Sequence, residues 1–170
     1  VIGGGGFGIT KAGGGVLAFS GSNTFTGGVT INAGILLLTN PGALNSTTPN
    51  AVNFSAGSTG ILRLNGNSVT ISGLNTNPVV GTPIIETNAG GIAKLTINTN
   101  SANTFAGTFQ NGGAGTLAII KSGTGTLTLS GNNTYTGATT LSAGTLNVNT
   151  STAIGLGTFI LNGGVIDKTS

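Results

Sequence analysis

"KSGTGTLTLSGNNTYTGATTLSAGTLNVNT", residues 121–150, contains a single charged side chain, and nearly half of it is Gly or Thr. Residues 11–40, "KAGGGVLAFSGSNTFTGGVTINAGILLLTN", match it at 14 of 30 positions without a gap. Most mismatches are conservative: Phe25 stands where Tyr135 does, and Ile31 where Leu141 does. The lead-ins agree as well, since "FGIT" before Lys11 and "LAII" before Lys121 both place apolar residues two apart. One module therefore occurs twice, 110 positions apart, in a chain too short for two full copies of that interval.

Inside the module the period is two. Leu127 and Leu129 alternate with Thr126, Thr128 and Ser130; Leu146 and Val148 alternate with Thr145 and Asn147. That is the pattern of half-buried strands. The spacing from Leu17 to Leu36 equals that from Leu127 to Leu146, 19 residues. Turn signals lie between, "SGNN" at 130–133 and "SAG" at 142–144, where Gly and Asn tolerate the positive φ of a sharp corner. No window shows a helical apolar stripe, and 33 glycines would penalise one.

Short strands with corners between them fit a sandwich of antiparallel hairpins or a solenoid of stacked coils. The coil-sized recurrence favours the solenoid, since like residues then lie about 4.8 Å apart, rung over rung. At roughly 20 residues per coil the chain, 1–170, makes one all-β solenoid of about eight coils. The expected apolar ladder comprises Leu17, Phe19, Leu36, Leu127, Leu129, Leu146, Val148, Phe159 and Leu161. The expected corners hold Asn23, Gly34, Asn133 and Gly144. Two stretches read as loop excursions: 39–50, and 73–92, where Pro78 and Pro83 cannot sit inside a paired interior strand and a bulging loop surrounds one strand, "PIIET".

Composition removes several function classes. Charged residues make up 4% of the chain, and its net charge of +3 is scattered rather than clustered. With one Tyr and no Trp it lacks the basic, aromatic surface that nucleic acid requires. The longest apolar runs are four or five residues, far short of a membrane helix. At 37% hydrophobic the chain has enough apolar content for a core, so disorder does not fit. Without Cys it has neither disulfides nor thiolate metal sites. The chain starts at Val1 without a basic-then-apolar leader, and reads as a processed product or an excised segment.

The sequence "KSGTGTLTLSGNNTYTGATTLSAGTLNV" at 121–148, its weaker copy at 11–38, and "AIGLGTFILNGGVID" at 153–167 resemble the autotransporter-associated β-strand repeat, also called the passenger-associated transport repeat. "NTFAGTFQNGGAGTLAII" at 103–120 resembles the lead-in of such repeats. The resemblance implies a right-handed parallel β-helix in a large secreted or surface-displayed bacterial protein. It also implies stalk or adhesin roles and export through an outer-membrane barrel.

Catalysis finds no support in the residues. Glu86 and Asp167 are the only acids, and at roughly 20 residues per coil they fall about four rungs, ~19 Å, apart, too far for a carboxylate dyad. There is no His for a triad, and the acids are too few for a calcium cage. "GGGGFG" at 3–8 lacks the Gly-Lys-Ser/Thr ending of a phosphate loop and reads as the entry to the first coil. Lys11 and Lys121 share one module position, read as solvated charges that discourage sideways sheet association. Tyr135 and Phe25 are expected in the coil interior, and Asn23 and Asn133 in a stack of corner amides.

The expectation is thus a non-enzymatic extracellular structural or adhesive element without cofactor. Its exposed strand edges would stack end to end, as a head-to-tail filament or as the continuation of a longer chain, and surface glycans are a further partner. Neither nucleic acid nor membrane insertion is expected. The alternative is a glycan- or ice-binding module using an exposed Thr/Asn face or the 73–92 loop. The Thr-x-Thr motif at 126–128 fails to recur in "VLA" at 16–18 and "TLN" at 145–147, which weakens the ice reading.

Overall fold

The computed structural model describes residues 1–168; the last two positions of the 1–170 span lie outside it. The described residues contain strands, turns and bends, with no helix. Chain order gives β1 (Ile9–Lys11) and β2 (Val16–Phe19) in the first coil, then β3 (Val29–Ile31) and β4 (Ile35–Leu38) in the second. Three three-strand coils follow. They are β5 (Ala51–Phe54), β6 (Ile61–Arg63) and β7 (Val69–Ile71); β8 (Gly73–Thr76), β9 (Ile84–Glu86) and β10 (Ile92–Asn98); and β11 (Asn103–Phe105), β12 (Thr108–Gln110) and β13 (Thr116–Ser122). The last coils hold β14 (Thr126–Leu129) with β15 (Thr139–Leu141), then β16 (Thr145–Val148) with β17 (Phe159–Leu161), and β18 (Val165–Asp167) begins another.

Every strand pairing among the described residues is parallel, and each strand pairs with the coil before or after it. The chain is a parallel β-solenoid of about seven turns. Three faces result. The first stacks β1-β3-β5-β8 and β11-β14-β16-β18, the second β2-β4-β6-β9-β12, and the third β7-β10-β13-β15-β17. Where the first and last coils lack a third strand, a long turn closes the winding.

Coil length explains why there are about seven turns rather than about eight. Along the first face, partners within the repeat modules are 19 or 20 residues apart, such as Thr10 and Thr30 or Thr128 and Asn147. In the middle the interval grows to 22 between Asn53 and Asn75, and to 29 between Asn75 and Thr104. The strand expected in "PIIET" is β9, but the 73–92 stretch is mostly not an excursion, because β8 and the start of β10 also lie within it and only 77–83 bulges. Pro78 and Pro83 flank that bulge, where no ladder bond is required of them. The 39–50 stretch is irregular, yet it buries Ala43, Leu44, Asn45 and Asn50 and closes its coil.

The core is one continuous column. Leu17 pairs with Leu36 and Phe19 with Leu38; Leu127 pairs with Leu146 and Leu129 with Val148. Phe159 and Leu161 lie in register with Thr139 and Leu141. Alternation sends Leu36, Leu62 and Ile85 inward and fully buried, while Ile35, Ile61 and Ile84 stand on the outer side and are half-buried. Aromatic rings pack within and between coils inside: Phe105–Phe109 at 4.6 Å within one coil, and Phe54–Phe105 at 5.7 Å and Phe109–Tyr135 at 5.9 Å between coils, centroid to centroid. Both Phe25 and Tyr135 are buried in the coil interior.

Candidate functional site

The charges are placed in ways that their sequence alone hides. Lys11 and Lys121 are buried, not solvated. Lys11 Nζ donates to the carbonyls of Ala12 (3.0 Å), Gly13 (2.7 Å) and, one coil on, Ala33 (2.8 Å). Lys121 Nζ repeats this with Ser122 (2.7 Å), Gly123 (2.9 Å) and Ala143 (3.2 Å). Each ammonium thus staples two successive corners by satisfying carbonyls that point into the bend, where no strand neighbour can reach them. Burial pushes the Lys121 ammonium below its ordinary value of 10.5. Gly34 and Gly144, both at φ +71, form the second corner of each pair, and a methyl group built there would lie 2.5 or 2.8 Å from the lysine Nζ. Glycine meets both demands.

Asn23 and Asn133 do not form a stack of amides at a corner. They lie in the long turns and clamp three windings together. Asn23 Nδ2 donates to the Ala43 carbonyl at 2.8 Å while its Oδ1 accepts from Ile2 N at 2.7 Å. Asn133 does the same between Ala153 (2.6 Å) and Phe109 N (2.8 Å). The stack consists of side chain to backbone because the next winding carries Ala, not Asn, at that place. Tyr135 hydrogen-bonds Thr139, whose hydroxyl also lies 2.8 Å from the Ile154 carbonyl. Burial pushes the Tyr135 phenol up to about 12, against the downward pull of the Thr139 bond.

The single ion pair among the described residues is on the second face. Glu86 Oε1 accepts from Arg63 Nη2 (2.6 Å) and Nε (2.8 Å), and Oε2 accepts from Gln110 Nε2 at 2.6 Å. These residues come from β6, β9 and β12, register neighbours in three successive coils. Glu86 is 3% exposed and its carboxylate is fully engaged, which leaves no free oxygen for acid–base work. Asp167 is on the first face, four rungs beyond β8, about 19 Å along the axis. No group of three or more His, Cys, Asp or Glu that could hold a metal occurs among the described residues.

The surfaces that remain are a polar face and two ends. Along the first face, Thr10, Thr30, Asn53, Asn75, Thr104, Thr128, Asn147 and Asp167 form one outward column from end to end. Between β8 and β11 the backbone ladder is interrupted, and side chains bridge instead: Thr104 N donates to Asn75 Oδ1 (3.1 Å) and Leu74 N to Asn103 Oδ1 (3.2 Å). At the ends, inward-pointing apolar side chains are bare: Leu17 at one, Leu161 and Ile166 at the other. A hollow of about 350 Å³ opens beside Val148, Ile154 and Lys168 at the second end. It gathers no convergent titratable groups.

Fold and surfaces together define a repeat-built β-solenoid. The passenger-associated-transport-repeat family model matches residues 9–38 and 119–148, each span running from the strand that carries the lysine, β1 or the end of β13, to the end of β4 or β16. Two stretches of this parallel β-solenoid are thus similar to the passenger-associated transport repeat, and repeat and fold together suggest a passenger-domain-like β-helix. Searches of curated proteins and of solved structures each returned no match.

Proposed function

We propose that this chain is a non-enzymatic, secreted or surface-displayed structural element, a stiff stalk segment that stacks end to end. The observation that carries this reading is the pair of ends. β1 and β2 at one end, and β17 and β18 at the other, have a strand partner on one side alone; so do β7, β8, β11 and β12 inside, but there a long turn or a side-chain bridge takes the neighbouring place. Such edges pair with further strands, of a longer chain or of another copy, unless charge, proline or a cap blunts them, and here they carry Val16, Leu17, Leu161, Val165 and Ile166. Secretion and surface display are what the repeat family implies. Electron microscopy of the concentrated 170-residue chain tests the reading. Unbranched rods support it, and a monodisperse monomer at millimolar concentration contradicts the stacking.

A second reading has one observation in its favour. The Thr/Asn column on the first face presents neutral hydroxyl and amide groups at a regular spacing of about 4.8 Å, suited to an extended neutral glycan or to ice. The 77–83 bulge, with Val79 and Val80 exposed, is a further recognition surface on this reading. Glycan-array binding lost on changing Thr104 and Thr128 to Lys would support it. An unresponsive array together with absent thermal hysteresis would contradict it.

A further inference from the structure

The winding is not equally tight on its three sides. Between the coil of β8–β10 and that of β11–β13, the second face carries a backbone ladder from β9 to β12, extended by Thr108 N donating to Pro83 O at 2.9 Å. The third face pairs β10 with β13 along the full length of both strands, with Thr116 N on Gly91 O at 2.8 Å. The first face has no backbone bond between β8 and β11. Side chains span that gap instead. Leu74 N donates to Asn103 Oδ1 (3.2 Å), Thr104 N to Asn75 Oδ1 (3.1 Å) and Ala106 N to Thr76 Oγ1 (3.1 Å).

The core changes at the same place. From β3 to β16 the inward positions of the first face are aliphatic or aromatic except at Thr76 and Asn103. Register sets Thr76 against Phe54 and Asn103 against Leu127, so one polar side chain stands on each side of the gap. Parting these strands exposes less apolar surface than parting a rung lined by leucines, and apolar surface is the main cost of opening, at about 25 cal/mol per Å². The bridging groups also tolerate movement. A carbonyl is fixed to its strand, whereas the Asn and Thr side chains turn between rotamers and follow a donor as it retreats.

We infer that the boundary between β8 and β11 is a one-sided hinge. The first face opens and closes there while the ladders of the second and third faces hold. The rod therefore bends in one direction, with its first face on the outside of the curve. Asn75 and Thr104, neighbours in the polar column, move apart as it flexes. The bend needs only the winding already described, and lies within it rather than at either end; its use as a compliant point in a stalk rests on the proposed function.

Amide hydrogen exchange of the full chain, followed residue by residue by NMR, tests the hinge. After correction for intrinsic rates, the Leu74, Thr104 and Ala106 amides are expected to exchange at least ~10-fold faster than their neighbours on the same face. Those neighbours are Ser55, Asn77 and Ser130, which donate to the backbone carbonyls of Ile31, Phe54 and Phe105. Thr108 and Thr116, which join the same two coils on the other faces, are expected to stay slow. The chain has no cysteine, so a disulfide between Asn75→Cys and Thr104→Cys clamps the gap alone. The clamp is expected to slow Leu74 and Ala106 to the rate of their neighbours. A control disulfide between Thr30→Cys and Asn53→Cys, on an intact rung, is expected to leave them fast. Equal rates on all three faces, a Thr116 amide as fast as those of the gap, or fast exchange that the clamp leaves unchanged overturns the hinge. Each of these results leaves the stalk reading standing, since electron microscopy tests that separately.

Discussion

Leu17 and Leu127 hold the same place in the repeat, yet Leu17 stands on the second face of the helix and Leu127 on the first. Leu127 is fully buried between neighbouring coils, while Leu17, in the terminal coil, is 36% exposed. Identical local chemistry thus meets different coverage. Leu127→Ala is expected to cost about 3 kcal/mol through lost burial and a residual cavity, and Leu17→Ala about 1 kcal/mol. Urea denaturation of the two variants checks this, and equal losses would argue against the assigned positions.

Lys121 acts by closing two corners, not by its charge at a surface. Lys121→Met keeps the stem and strands three carbonyls, with an expected loss of about 2–3 kcal/mol. Lys94→Met, at an exposed position in β10, is expected to change stability by less than about 0.5 kcal/mol. Thermal melts of both variants at neutral pH provide the comparison.

Tyr135 makes the fold sensitive to alkali. Its phenol titrates near 10 when unfolded and at about 12 when folded, so the folded chain holds the proton more tightly. Stability from this group is complete below pH 10 and is lost as pH rises towards 12, on the order of 2–3 kcal/mol. Tyr135→Phe removes the ionisable group and flattens that decline, at the expense of the Thr139 bond at neutral pH. Chemical denaturation of both proteins between pH 9 and 11.5 would reveal it, and parallel pH profiles would refute the assignment.

Arg63 and Glu86 tie two coils whose length departs from the repeat. Removing Arg63 alone leaves a carboxylate nearly buried, held by Gln110. Arg63→Met is expected to cost about 2–3 kcal/mol, reduced from the fully buried case because Arg63 is partly exposed. The double variant Arg63→Met with Glu86→Leu is expected to recover most of that loss. A double-mutant cycle reads the coupling.

Much of the architecture was legible because a period of two and a 19-residue recurrence constrain the same leucines. Leu127 can only alternate inward if Leu146 lies in register with it. The faces were not legible. The 110-residue offset between modules contains a fraction of a turn set by the coils from β5 to β10, whose lengths of 22 and 29 residues carry no repeat signal. For the same reason a Thr/Asn face could be expected but its members could not be named, since they fall at different module positions. Lys121 was misread because a lone lysine among polar residues signals solvent. Its burial depends on carbonyls from two corners converging, with Ala143 lying 22 residues away. The Asn75–Thr104 bridge has no sequence signature, since Asn and Thr in a strand look the same whether paired by backbone or by side chain.

Distances from Thr30 along the first face test the winding itself most directly. Spin-label pairs joining Thr30 to Asn75, Thr128 and Asn147 span two, four and five rungs, so double electron–electron resonance should give distances that lengthen in that order, near 10, 19 and 24 Å before label length. Antiparallel hairpins folded into two facing layers would break that order, and a Thr30–Asn147 distance shorter than Thr30–Thr128 would rule out the coiled rod.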